Sequence, residues 1–187
     1  VGLIDNKGQW ILPVSYDYVY IGGGDLIALE KGKKIGFVDT KGNTVIDFQF
    51  PRATRRNWSS AYSTYGFSEN LAVVLLSETP LIFVQESQFA PQHYAPQFEK
   101  TRCGVIDKSG KTLFTFQGYP RSRFIDGLML VEGPNGLFFM DQSGDQYPLP
   151  SGIRPQAYDW LGKSFSKGIL RTKYEDGKFG YLKINIR

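Results

Sequence analysis

The sequence predicts an all-β fold of tandem antiparallel meander repeats, each of about three strands and about 34 residues, and three observations carry that prediction. Aromatic residues fill 15% of the 187 positions, and 21 Gly and 10 Pro punctuate the chain, a mixture that suits short strands joined by tight turns. No stretch of ten or more residues shows apolar spacing at the helical period. Most tellingly, a glycine-led strand followed by an Asp-x-x-Gly turn keeps returning.

The first copy runs from Gly2 through Asp5 and Gly8 to Leu12, the second from Gly36 through Asp39 and Gly42 to Ile46, and the third from Gly104 through Asp107 and Gly110 to Phe114. A more divergent copy contains Gly136, Asp141 and Gly144, and a partial one begins at Gly180. The starting glycines lie 34, 68, 32 and 44 residues apart, so the second unit holds an insertion about one repeat long and the fourth a shorter one. In each copy Asp accepts backbone N–H groups across a turn, and Gly supplies the left-handed residue that lets the chain reverse. Asp5, Asp39, Asp107 and Asp141 therefore read as turn formers rather than catalytic acids.

A second recurring piece leads into the next strand. Phe67, Ser68, Glu69 and Asn70 precede Leu71; Phe124, Ile125, Asp126 and Gly127 precede Leu128; Phe165, Ser166, Lys167 and Gly168 precede Ile169. Gly24 and Asp25 before Leu26 form a looser version. The strand so begun hairpins back into the next glycine-led strand, as around Gly32, where Lys31, Lys33 and Lys34 read as a solvated turn. The whole chain, 1–187, is expected to be one repeat domain with units beginning near 2, 36, 104 and 136, a partial unit from 180, and insertions near 51–65 and 77–101. Units this small bury an apolar face only against a neighbour, so a solenoid-like or curved stack is expected, with a closed, propeller-like ring as the alternative.

The glycine-led strand, the Asp-x-x-Gly turn, the pairs Tyr16-Asp17 and Tyr158-Asp159 and the Phe-Ser-x-Gly strand entry together resemble successive parts of the bacterial WG repeat. The resemblance covers nearly the whole chain apart from the insertions. The position before the glycine, where that family carries Trp, holds Val1, Ile35, Cys103, Asn135 and Phe179, so only Phe179 is aromatic there. The resemblance implies a β-rich array with a role in interactions, and it implies no reaction.

Chemistry-bearing clusters are sparse. With Cys103 the only cysteine and His93 the only histidine, there is no intramolecular disulfide, Cys-based zinc cage or His-rich metal centre to build, and no cofactor is expected. Cys103 starts a repeat strand, which accounts for it without a Cys-His pair. The run Gly22-Gly23-Gly24 has no following Lys-Ser/Thr and reads as a turn. Net charge is +4, with 22 basic and 18 acidic residues interspersed, a mixed pattern that does not indicate nucleic acid binding. The longest apolar run, Leu71 to Leu76, is far short of the roughly 20 residues of a membrane-spanning helix. The chain opens on Val1 within a strand-like segment, so a leader or further repeats are expected to precede it, and bacterial cytoplasm, periplasm and envelope all stay open as locations.

Binding chemistry gathers in the insertions, where added loops vary without disturbing a stacked core. The first brings Arg52, Arg55, Arg56, Trp58, Tyr62 and Tyr65, the residue types enriched at protein hot spots. The second carries several Pro and aromatic residues, including Phe89 and Tyr94, and its Leu81 to Val84 segment is expected to extend a long hairpin with Leu71 to Leu76. The function expected is a non-catalytic module that binds another bacterial protein, as in toxin neutralisation or an envelope or secretion assembly. Glycan binding, with Trp58, Tyr62 and Tyr65 stacking on sugar rings, is the alternative.

Overall fold

The computed structural model describes residues 1–20, 24–52, 65–77, 81–84, 93–96, 100–150, 153–155, 165–174 and 177–184. Among them the chain is strands and turns with no α-helix. A hairpin of β1 (Leu3–Ile4) and β2 (Trp10–Leu12) comes first. Sheet I then runs in chain order through β3 (Tyr18–Tyr20), β4 (Leu26–Lys31), β5 (Lys34–Asp39) and β6 (Thr44–Pro51). Sheet II pairs β7 (Leu71–Leu75) with β10 (Arg102–Asp107), which pairs in turn with β11 (Thr112–Gln117). Between β7 and β10 lies a separate hairpin of β8 (Leu81–Val84) and β9 (His93–Pro96). Sheet III holds β12 (Tyr119–Pro120), β13 (Leu128–Gly133), β14 (Gly136–Asp141) and β15 (Gln146–Pro148). Sheet IV holds β16 (Ile153–Pro155), β17 (Phe165–Ser166), β18 (Ile169–Tyr174) and β19 (Phe179–Lys183). Every listed strand pairing within these sheets is antiparallel.

The sheets are offset from the sequence repeats by half a unit. Sheet I takes β3 and β4 from the unit starting at Gly2 and β5 and β6 from the unit starting at Gly36; sheet III joins two units in the same way. The break between layers falls after the strand that follows the Asp-x-x-Gly turn, where the chain moves to the next sheet instead of turning back.

Alternation along the strands shows how the layers stack. On sheet I, Leu29 and Val38 pack with Leu12 of the first hairpin, while Ala28, Ile35, Phe37 and Ile46 join the core shared with sheets II and III. On sheet III, Met129, Val131 and Met140 belong to that shared core, and Leu128, Leu130 and Phe139 face Leu170 of sheet IV. Successive residues of a strand point to opposite faces, so each inner sheet has one face toward the preceding layer and one toward the next. Sheet II is covered on both sides, which is why β7 is buried along its whole length and reads in sequence as an unbroken apolar run. Each fully buried Phe, Leu, Ile or Val contributes roughly 1.5–3 kcal/mol. The layers thus follow chain order: hairpin, I, II, III, IV. No core cluster among the described residues joins the first hairpin to sheet IV, and the closed ring has no counterpart there.

One expected pairing is corrected. Leu81–Val84 does not prolong the β7 hairpin but pairs with β9, because β7 already has β10 as its partner across the insertion.

Candidate functional site: the edge that carries both insertions

Each inner sheet has two edges along which its loops emerge, and they differ in chemistry. The first is built by the Asp-x-x-Gly turns. Oδ1 of Asp39 accepts the N–H groups of Lys41 (2.9 Å) and Asn43 (2.8 Å), and Asp5, Asp107 and Asp141 do the same at the matching positions. The Asn43 side chain, followed by the turn N–H groups, holds the Asp39 carboxyl below its usual range. For Asp107 the Ser109 hydroxyl is the main cause of a shift in the same direction. Burial pushes the Asp141 carboxyl up, but the Ser143 and Tyr147 hydroxyls and the turn N–H groups outweigh it, and its pKa too is lowered. The expectation that these four residues form turns is met by this geometry.

The strand-entry turns lie on the same edge and stitch neighbouring layers. Glu69 accepts the Gly127 N–H (3.0 Å) and a Gln142 side-chain N–H (2.8 Å), while Asp126 accepts the Lys167 N–H (2.6 Å), each acid reaching the next sheet. Lys108 pairs with Asp25 at 2.7 Å across sheets I and II. A crevice of about 270 Å³ opens here, lined by Asp25, Glu69, Asn70 and Lys108 among others, but its charged groups are spent on these bonds. Among the described residues no group of three or more His, Cys, Asp and Glu could hold a metal ion.

The opposite edge carries the insertions. Pro51, the last residue of β6, lies opposite Lys34 at the hairpin end of sheet I, and the second insertion leaves between β7 and β10 at the same end of sheet II. Both are tied shut at the base. The Tyr65 hydroxyl donates to the Pro51 carbonyl (2.6 Å), and its N–H donates to Val73 O (2.7 Å), so the two ends of the first insertion are joined. Beside it, Arg52 Nη1 donates to Glu30 Oε1 at 3.3 Å. Glu30 is 1% exposed and also accepts the Tyr20 hydroxyl at 3.2 Å. Tyr18, Tyr20 and Tyr65 stack edgewise in this joint, with centroids 4.9 and 5.1 Å apart. The neck of the second insertion is closed by Ser77 Oγ, which accepts the Arg102 N–H and donates to Lys100 O, both at 3.2 Å.

Sheet III repeats the sheet I arrangement, for Glu132 occupies the place of Glu30 and Arg121 donates to it through Nε and Nη2. With both acids occupied, the exposed charge along this edge is basic: Lys31, Lys33 and Lys34 at the sheet I hairpin, then Lys100 and Arg102 at the neck. The chain's charge, evenly mixed along the sequence, is therefore sorted in space, with turn carboxylates on one edge and free-standing cations on the other.

Of the residues expected to bind, Arg55, Arg56, Trp58, Tyr62 and Phe89 lie outside the described residues, as do Gly22 and Gly23. Tyr94 lies on β9 opposite Phe83, its side chain outside the description. Arg52 sits at the base of the first insertion, one third exposed. Tyr65 departs from the expectation of a contact ring: it is fully buried, because its hydroxyl finds the Pro51 carbonyl and its ring fills the joint between sheets I and II. Glu30 and Glu132 were missed in sequence. Their signal is a glutamate recurring at the same place in β4 and β13, otherwise apolar strands. Cys103 is buried and donates to Gly118 O at 3.3 Å, and burial pushes its thiol pKa far up, away from the thiolate a nucleophile needs.

The model of the WG containing repeat family matches residues 2–34 and 35–59. No curated protein and no solved structure matches the chain. The two matches meet at Ile35, beside the glycine of the second predicted copy, and the same strand, turn and strand recur in sheets II and III. The chain is a member of the WG containing repeat family.

Proposed function

We propose that this chain is a non-catalytic protein-binding module whose contact surface is the insertion edge of sheets I and II, and whose partner presents an acidic surface there. One observation carries the reading: two insertions, separated in sequence, emerge side by side at one edge, each closed at its neck, beside exposed Lys31, Lys33, Lys34, Lys100 and Arg102. Loops tied at the base are free to vary at the tip without cost to the stack. Arg55, Arg56, Trp58 and Tyr62 would supply the anchoring groups and the lysines a steering field. A bacterial partner, such as a toxin to be neutralised or a component of an envelope assembly, fits this chemistry. Protein binding is favoured over glycan binding because Tyr65, one of three rings in the proposed sugar platform, belongs to the core.

The test is affinity capture from the source cell with the chain and with an Arg55→Ala, Trp58→Ala, Tyr62→Ala variant of unchanged thermal stability. Capture of one protein at near-stoichiometric yield, lost in the variant and weakened by salt, is the expected result. Equal capture by both forms would move the surface off the first insertion, and binding to glycans alone would overturn the reading.

A further inference from the structure

We propose that copies of this chain dock head to tail, the outer face of sheet IV on one copy covering the outer face of the first hairpin on the next. The argument rests on strand register and is independent of the insertion edge. In sheet III, Leu128, Leu130 and Phe139 point to the following layer and are buried against it. Counting from the strand-entry turns, Ile169, Arg171 and Tyr181 of sheet IV hold those same positions, since Arg171 lies opposite Tyr181 as Leu130 lies opposite Phe139. On sheet IV they have no following layer: Tyr181 is 74% exposed, Phe179 52% and Ile169 44%.

The other end presents the mating class of surface. Val38 of sheet I, which lies opposite Thr44, faces the preceding layer and is fully buried against Leu12 and Leu29. Ile4, which lies opposite Trp10 in the first hairpin, holds the place of Val38, and both Ile4 and Trp10 are more than half exposed. Each end therefore shows one half of a joint that the fold already makes between its own layers. The partner for a face of the sheet IV kind is a face of the hairpin kind, and a second copy supplies it. Charge fits as well. Arg171 already lies 4.9 Å over the Phe179 ring, and across the joint it would meet Trp10, the ring type that best accepts a cation. Such an interface is heterologous: it leaves one unused face at each end, so association is open-ended and steepens with concentration.

The test is sedimentation velocity over a dilution series with the chain, with Trp10→Asp and with Tyr181→Asp; circular dichroism checks folding, and Phe179→Asp replaces Tyr181→Asp if that variant misfolds. The chain should self-associate, and each variant alone should show a dissociation constant raised by roughly tenfold or more. Mixing the two variants should restore a one-to-one dimer, because each retains the face the other has lost. A chain that stays monomeric at the highest soluble concentration overturns the proposal and leaves the end faces to another protein or to further repeats. So does persistent association of either variant alone, which would point to a like-with-like contact, or a mixture that fails to dimerise.

Discussion

At the scale of single residues, Asp141 shows how far one carboxylate is committed to the turn. It accepts the Ser143 and Asp145 N–H groups and the Ser143 hydroxyl through Oδ1, and the Tyr147 hydroxyl through Oδ2. Hydrogen bonds to a charged acceptor are worth more than neutral ones, and Asn keeps the shape while removing the charge, so Asp141→Asn should cost about 1–3 kcal/mol in urea unfolding. Because the folded pKa values of Asp39, Asp107 and Asp141 lie below their unfolded values, the stabilisation from these groups is complete above the ordinary carboxylate range, near pH 4. It is lost as pH falls through the lowered folded values. The urea midpoint should therefore drop from about pH 5 downward, and less steeply in Asp141→Asn than in the parent. An equal slope in both would deny Asp141 its share of the acid sensitivity.

Among elements, the turn glycine serves two ends at once. Gly110 has φ +85°, and a Cβ there would lie 3.0 Å from Ile46 Cγ2 of sheet I; Gly144 approaches Phe114 and Gly42 approaches Leu12 in the same way. The glycine thus reverses the chain and also lets each turn lie against the layer before it. Gly110→Ala should lower stability by about 1–3 kcal/mol, with both backbone strain and overpacking contributing. In a double-mutant cycle with Ile46→Ala the two losses should add to less than their sum, since truncating Ile46 makes room for the methyl group. Strict additivity would assign the whole cost to φ. The turn itself was legible in sequence, because Asp and Gly at fixed spacing have a local cause. The second role was hidden, because the partner residue lies more than 60 positions away, in another repeat. The bulges at Val45 and Leu113 were hidden for a similar reason. Each is an apolar residue that the ladder skips between two paired neighbours, leaving it exposed, and nothing in its own chemistry announces that. The fate of Leu81–Val84 also turned on a competing partner: a run of four apolar residues fits either hairpin, and only the prior claim of β10 on β7 decides.

For the whole molecule, a repeat period of about 34 residues was enough to anticipate a stack of small antiparallel sheets, and the position of the insertions was enough to suspect a binding surface. What sequence order could not reveal was that two insertions share an edge, or that Tyr65 belongs beneath them, because both follow from how successive layers superpose. The same superposition says what the second insertion replaces. In sheet I, β4 and β5 are joined by Gly32 and Lys33, at φ +59° and +66°, a two-residue turn with both centres left-handed. In sheet II the corresponding residues are Leu76 and Arg102, whose backbones are already bonded at 2.9 Å, with residues 77–101 between them. Replacing 77–101 with Asn-Gly, the pair best suited to that turn, should close β7 onto β10 without changing their register. The variant loses the Thr101 carbonyl that accepts the Gly118 N–H, a cost of about 1–3 kcal/mol, partly offset by the lower entropy of a shorter loop. It should fold cooperatively with an unchanged β-type circular dichroism spectrum, and lose affinity for any partner that touches the second insertion. A variant that fails to fold would mean that the insertion is part of the core of sheet II; one that folds and binds as the parent does would place the whole contact on the first insertion and the lysine hairpin beside it.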